Sequence, residues 1–201
     1  MKTIIFDFDG VIVDTFDIAF EVNKLTRPSL NKESYREKFN GNINTAQFSE
    51  PETREIDFFH EYRKRLEKIK INPDTKKSII SLSKNFRLFV ISSTVSLVIG
   101  NFLEKNNLLK YFIEILGLDV DPSKVEKFNI IFDKYNISPQ ETIFITDTSG
   151  DVLEAREAKI NFIVGMLGGY QNENSLKKSK PDIIVKNFID FSKVIQKHEK
   201  C

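Results

Sequence analysis

The 201-residue chain has one cysteine, Cys201, so it can form no internal disulfide, and a reducing cytoplasm is the simplest compartment to expect. Excess charge is missing too. Thirty Lys and Arg against 29 Asp and Glu leave a net charge of +1, which gives no electrostatic ground for a nucleic-acid or membrane partner. No run of about 18 uncharged apolar residues occurs, which excludes a membrane-spanning helix. The opening MKTIIF has the flavour of a signal peptide, but Asp7 and Asp9 interrupt the apolar segment it would need. Repeats and low-complexity tracts are lacking. With 40% hydrophobic and 29% charged residues, the chain is expected to build one core of ordinary size, with or without a small insert, and to act as a monomer or weak homodimer.

What the sequence does have is a rhythm. Runs rich in Ile, Val and Phe at Thr3–Phe6, Leu88–Ile91, Phe112–Leu116, Thr142–Ile145, Phe162–Val164 and Ile183–Val185 read as strands buried on both faces. Segments of helical period separate them: Val95, Val98, Ile99 and Phe102 share a face, as do Phe128, Ile131 and Phe132, then Val152, Ala155 and Ala158, and finally Phe188, Phe191 and Ile195. This alternation predicts an α/β fold, a Rossmann-like doubly wound parallel sheet. Between Asp14 and Asp74 the rhythm breaks. No good strand run occurs there, and Ile56, Phe59, Tyr62, Leu66 and Ile69 form a helical stripe that ends at Asn72-Pro73-Asp74, a stop and a cap for the next helix. The expected organisation is a core of 1–13 and 75–201 with a helical cap, 14–74, inserted after the first strand. The KKSK of Lys177 to Lys180 reads as a solvated loop face.

Ligands of an open α/β sheet bind beyond the carboxyl ends of its strands. The first strand ends in Asp7-Phe8-Asp9-Gly10-Val11, the second in Ser92-Ser93-Thr94, the fourth in Asp147-Thr148-Ser149-Gly150-Asp151, and SKVEKF puts Lys124 near a helix start. Each has an ordinary reading: Ser92 and Thr94 as caps for a helix from Val95, Asp147 or Ser149 as caps for the next, Lys124 as a surface lysine. Together they say more. Residues two apart on an extended chain point the same way, about 7 Å apart, so Asp7 and Asp9 should face one pocket that Asp147 also reaches. Converging carboxylates need a cation, and an all-oxygen site of this kind suits Mg²⁺ bound with a substrate phosphate.

DFDGV, a strand ending in serine, a lysine and DTSGD, in that order, resemble the motifs of the haloacid dehalogenase (HAD) superfamily. The resemblance spans nearly the whole chain. The insert is similar in position to the helical cap of phosphoglycolate phosphatase-like and beta-phosphoglucomutase-like members. It implies a Mg²⁺-dependent phosphoric monoester hydrolase acting on a small phosphorylated molecule. In that reading Asp7 is the nucleophile and forms an aspartyl-phosphate, and Asp9 is the general acid and then base, its main-chain carbonyl also binding metal. Ser92 meets a phosphoryl oxygen, with Ser93 one residue away as the alternative. Lys124 offsets the charge of Asp7, with Lys127 as runner-up. Asp147 ligates the metal, Asp151 does so through water or orients the site, and Gly10 lets the backbone approach the phosphate. Two positions depart from the family pattern: Thr146 stands where glycine is usual, and Val125 follows the lysine where proline is frequent.

Rival functions fit less well. Dehalogenation needs one carboxylate and no metal, leaving Asp9 without a task. A receiver-like phosphoacceptor would carry its aspartate after the third strand, where this chain has Gly117-Leu118-Asp119, and would leave the insert unexplained. A silent binding module would not need an intact set of acids. Transfer to a sugar hydroxyl, as in a phosphomutase, is the alternative within the same chemistry. In the insert, Arg54, Arg63 and Arg65 are candidates to meet an anionic substrate, though a solvated basic face is the simpler reading. His60 and His198 read as bystanders, and Phe16, Phe20, Phe58 and Phe59 as packing residues. Gly168-Gly169-Tyr170 reads as a turn or a shaper of the entrance, and Asp14 as a turn or cap at the hinge.

Overall fold

The structure, a computed structural model, describes residues 2–198; Cys201 and the side chain of His198 lie outside the described residues. Six strands, β1 (Thr3–Phe6), β2 (Arg87–Ile91), β3 (Glu114–Leu116), β4 (Thr142–Thr146), β5 (Phe162–Met166) and β6 (Ile183–Val185), form one parallel sheet in the order β3-β2-β1-β4-β5-β6. Every side chain of β1 is buried because alternate residues feed opposite layers. Ile4 and Phe6 face one core with Val90, Ile145, Phe188 and Phe191, and Ile5 faces the other with Phe89, Phe144, Phe128 and Val152. The expected strands are all present. The outer two, β3 and β6, are only half buried, since an edge strand has a neighbour on one side; Phe112 and Ile113 lie before β3, and Ile113 is exposed.

Nine helices are described. Three, α1 (Phe16–Thr26), α2 (Lys32–Glu37) and α3 (Phe58–Leu66), belong to the strandless stretch between β1 and β2. The stripe read from Ile56 to Ile69 is helical only over α3, which Asp57 starts by accepting the His60 N–H at 3.0 Å; Ile56 and Ile69 still pack on the core. Asn72 caps α4 (Pro73–Leu82), accepting from the Asp74 N–H at 2.8 Å with proline at the first turn. α4, α5 (Ser96–Lys105) and α9 (Phe188–His198) cover one face of the sheet; α6 (Lys124–Tyr135) and α7 (Ser149–Glu157) cover the other, with α8 (Glu173–Ser179) beside α7. Lys177 to Lys180 is thus the end of a helix, not a loop, closed by Lys180 in the left-handed conformation, and Lys177, Lys178 and Lys180 are exposed. Among the described residues no helix is long and apolar enough to cross a membrane.

The strand order reverses direction at β1, with β2 on one side and β4 on the other. That is the switch point where an open sheet leaves a crevice beyond its strand ends.

Candidate active site

Asp7 follows β1 directly, its N–H donating to the Ile145 carbonyl at 2.9 Å, so the end of the β1–β4 ladder fixes its backbone. Its carboxylate is buried; Oδ1 accepts from the Phe8 N–H at 2.8 Å and Oδ2 lies 2.9 Å from Lys124 Nζ. Lys124 is the first residue of α6, buried itself, and its ammonium also reaches Asp151 Oδ2 at 2.6 Å. Burial pushes Asp7 well above the usual carboxylate range, with Lys124 opposing and Asp151 and Asp147 adding to the rise. The same burial works to lower Lys124, but Asp151 and Asp7 outweigh it and hold the ammonium above the ordinary lysine range. For Asp151 burial is likewise overcome, chiefly by Lys124, and its carboxyl falls below the usual value. Thr146, the residue in place of glycine, has a purpose here: its hydroxyl donates to Asp151 Oδ2 at 2.6 Å.

Lys127, one turn further along α6, turns elsewhere. It is fully buried and its ammonium donates to the Ser92 carbonyl at 2.7 Å, fixing the end of β2; burial and then the neighbouring Lys124 lower it to about 8.

Asp147 is entirely buried. Its Oδ2 accepts the Tyr170 N–H, while its Oδ1 has no hydrogen-bond partner. Burial pushes its carboxyl up to about 8, the Tyr170 N–H offsetting only part. Two glycines make room for it. A Cβ on Gly10, which has φ +75°, would lie 2.0 Å from Asp147 Oδ2, and one on Gly169 would lie 2.1 Å from the same atom. Gly168-Gly169-Tyr170 is therefore a wall of the site as well as a turn.

Asp9 has quite different company. Its Oδ1 accepts from Thr15 at 2.7 Å and from the hydroxyl of Tyr62; its Oδ2 accepts from Thr94 at 2.7 Å and Ser92 at 3.3 Å. Neither Ser92 nor Thr94 caps α5, whose Ser96 N–H goes to Asp119, after β3, at 2.6 Å, and the Ser92 hydroxyl also accepts the Thr94 N–H at 3.0 Å. Thr148, not Asp147 or Ser149, caps α7. Asp14 stands apart, exposed, accepting the Phe16 N–H at 3.3 Å as a local turn.

These groups line a cavity of about 230 Å³. Asp7, Asp9, Asp147, Asp151, Lys124, Ser92 and Ser93 all reach it; Gly10 and Lys127 do not line it. Among the described residues no three His, Cys, Asp or Glu side chains are arranged to hold a metal ion by themselves; Lys124 engages Asp7 and Asp151, and hydroxyls engage Asp9.

The far wall comes from the strandless stretch. A run of asparagines joins it to the sheet rim: Asn40 accepts from Gln171 at 2.8 Å, Asn42 donates to Glu154 at 3.0 Å, and Asn44 donates to the Pro122 carbonyl at 2.8 Å and to Ser93 at 3.3 Å. Gly41 passes so close to α7 that a Cβ on Gly150 would sit 2.2 Å from the Gly41 carbonyl oxygen.

Residues 4–164 match the family of haloacid dehalogenase-like hydrolases. The chain belongs to that family. Along most of its length this HAD-like hydrolase is similar to a phosphoglycolate phosphatase of Vibrio vulnificus, at 24% identity covering 97% of this chain and 96% of the relative. It is also similar to a phosphorylated carbohydrates phosphatase of Thermotoga maritima, at 24% identity covering 92% and 94%. In fold it matches a haloacid dehalogenase-like family protein of Streptococcus pneumoniae, with a TM-score of 0.75 at 20% identity over 97% of this chain and 98% of the other. The resemblance read from the motifs holds, and with it the doubly wound fold and the assignment to an enzyme family.

Several partners in the hydrolase site were not read from the sequence. Tyr62 counted only as part of a helical stripe, yet a buried tyrosine hydroxyl needs a partner, and that requirement was the available signal. Thr15, Thr94 and Thr146 carry no such mark. Phe16 and Phe20 are packing residues, but Phe58 and Phe59 also line the cavity. Arg54, Arg63 and Arg65 do not line it: Arg54 donates to the Leu25 carbonyl, Arg63 pairs with Glu67 and Arg65 with Glu61. His60 is exposed on α3.

Proposed function

We propose that this HAD-like hydrolase is a Mg²⁺-dependent phosphatase that cleaves a small phosphomonoester through an aspartyl-phosphate on Asp7. The observation that carries the reading is the placement of Asp7: a buried carboxylate at a strand end, paired with Lys124 and facing a cavity beside the orphaned Asp147 oxygen. A buried carboxylate oxygen without a donor invites a cation. Asp7 and Asp147 would hold Mg²⁺ with the main-chain carbonyl of Asp9, and Asp151 would act through water, the remaining positions being water or phosphate. When bound, Mg²⁺ offsets the negative charge that these acids and the substrate bring together, which lets the buried Asp7 ionise.

The chain's own groups do the rest. Asp7 attacks phosphorus, forming the P–O bond of the aspartyl-phosphate as the bond to the leaving oxygen breaks, and Asp9 delivers a proton to that oxygen. Water then attacks the same phosphorus, giving its proton to Asp9, and inorganic phosphate leaves as Asp7 is restored. Lys124 holds Asp7 in place and balances its charge, while Ser92, with Ser93 at the rim, meets phosphoryl oxygens. Residues 14–74 act as the cap, carrying Tyr62 against Asp9 and the asparagine run against the core.

The test is hydrolysis of p-nitrophenyl phosphate with Mg²⁺, expected to stop in EDTA and return with added Mg²⁺. Turnover that survives EDTA overturns the mechanism. Turnover of a sugar monophosphate without release of inorganic phosphate would point to a phosphomutase instead.

A further inference from the structure

Besides the carboxylates, the cavity is lined by the rings of Tyr35, Phe39, Phe48, Phe58, Phe59 and Tyr62. Phe58 stacks on Tyr62, with ring centres 5.8 Å apart and planes at 16°, and meets Phe59 edge-on at 5.3 Å, so this wall is a packed surface. Among the described residues lining the cavity, Lys124 is the one cationic side chain, and it is engaged by Asp7 and Asp151. A second anionic group on a substrate, a carboxylate or another phosphate, would lose its water against these rings and find no free cation among the described lining residues. At about 230 Å³ the whole cavity is smaller than the ~300–1,000 Å³ usual for drug-sized ligands, and part of it must hold the phosphate.

Resting on the phosphatase reading above, we infer that the substrate is the phosphomonoester of a small alcohol that carries a single ring and no second anionic group, held against the aromatic wall of the cap. Water takes the phosphoryl group, and the ring-bearing alcohol and inorganic phosphate are released. This separates the protein from the phosphoglycolate phosphatases that it resembles, whose substrate by name carries a carboxylate.

The experiment compares kcat/KM with Mg²⁺ for benzyl phosphate, 2-phosphoglycolate and pyrophosphate. Benzyl phosphate is expected to exceed each of the others by about tenfold or more, since a charged group left without its partner costs at least that much. In Phe59→Arg, which puts a cation on the half-buried wall, the ratio of benzyl phosphate to 2-phosphoglycolate should fall about tenfold. Equal turnover of the three, or a preference for 2-phosphoglycolate or pyrophosphate, overturns the substrate class and leaves the phosphatase reading standing. No hydrolysis of any of them by protein that is folded by circular dichroism overturns both. If Phe59→Arg does not fold, the wild-type ranking alone decides.

Discussion

Asp7 and Asp9 lie two residues apart and line one cavity, yet their surroundings are opposites. Asp7 is sealed against an ammonium that it shares with Asp151. Asp9 has no ion pair among the described residues and is ringed by four hydroxyls, one of them from α3. An ammonium only donates and favours the anion, whereas a hydroxyl can donate or accept and so serves a carboxyl with or without its proton. A carboxyl held in place by a fixed cation suits a nucleophile, and a changeable partner suits a proton carrier. The division of labour proposed for the two acids of one short motif thus has a counterpart in the elements packed around it: α6 and α7 for Asp7, the chain entering α1, the end of β2 and α3 for Asp9.

The strongest way to break this contrast is Asp7→Asn. It should lower phosphatase activity by at least about 10³-fold, with near-wild-type circular dichroism, and the loss should be the same for every leaving group. Asp9→Asn should cost about 10²–10⁴-fold on an alkyl phosphate. That loss should shrink with p-nitrophenyl phosphate, whose leaving group departs without a proton. Equal losses on the two substrates would remove Asp9 as the acid.

A smaller effect tests the tie between cap and core. Tyr62→Phe keeps the ring against Phe58 and removes only the hydroxyl on Asp9. A hydrogen bond to a charged group supports a decrease of about tenfold in kcat/KM on an alkyl phosphate, shrinking with p-nitrophenyl phosphate. An unchanged kcat/KM would mean that Thr15, Thr94 and Ser92 suffice for Asp9.

The two acids differ also in how much of their setting could be read in advance. β1 and its carboxyl-terminal acids were plain, because a run of Ile and Phe ending in DFDG has few readings. The lysine was not. Lys124 and Lys127 lie one turn apart at the start of α6 and both are buried, so only the three-dimensional path separates the partner of Asp7 from the partner of the Ser92 carbonyl. The hydroxyl ring of Asp9 was hidden for another reason. Thr15, Tyr62, Ser92 and Thr94 are scattered over 80 residues, and any of them alone reads as a cap or a core residue. Phe58 and Phe59 were read as packing, since a stripe at helical spacing looks the same whether its rings meet a core or a cavity.

The smallest expected effect concerns stability in the absence of metal, and it sharpens the contrast from the side of the acidic floor. Asp147 is raised by burial to about 8, and Asp7 is raised as well, whereas an unfolded aspartate ionises near 4. Between about pH 4 and 8 the folded state therefore holds more protons than the unfolded chain. By linkage, this contribution to stability is fully present below about pH 4 and is lost as the pH rises through the folded value. In EDTA, melting temperature should decline by a few degrees between pH 6 and 8.5, and Asp147→Asn should flatten the decline. Mg²⁺ should restore more stability at pH 8.5 than at pH 6, because it replaces the proton at a carboxylate that has no other partner. Lys127, lowered to about 8 by burial, acts in the opposite sense only from that pH upward, where the unfolded chain holds more protons. A melting temperature that rises from pH 6 to 8.5 in EDTA, or an equal gain from Mg²⁺ at both values, would show that the Asp147 carboxyl is already ionised and satisfied without a cation.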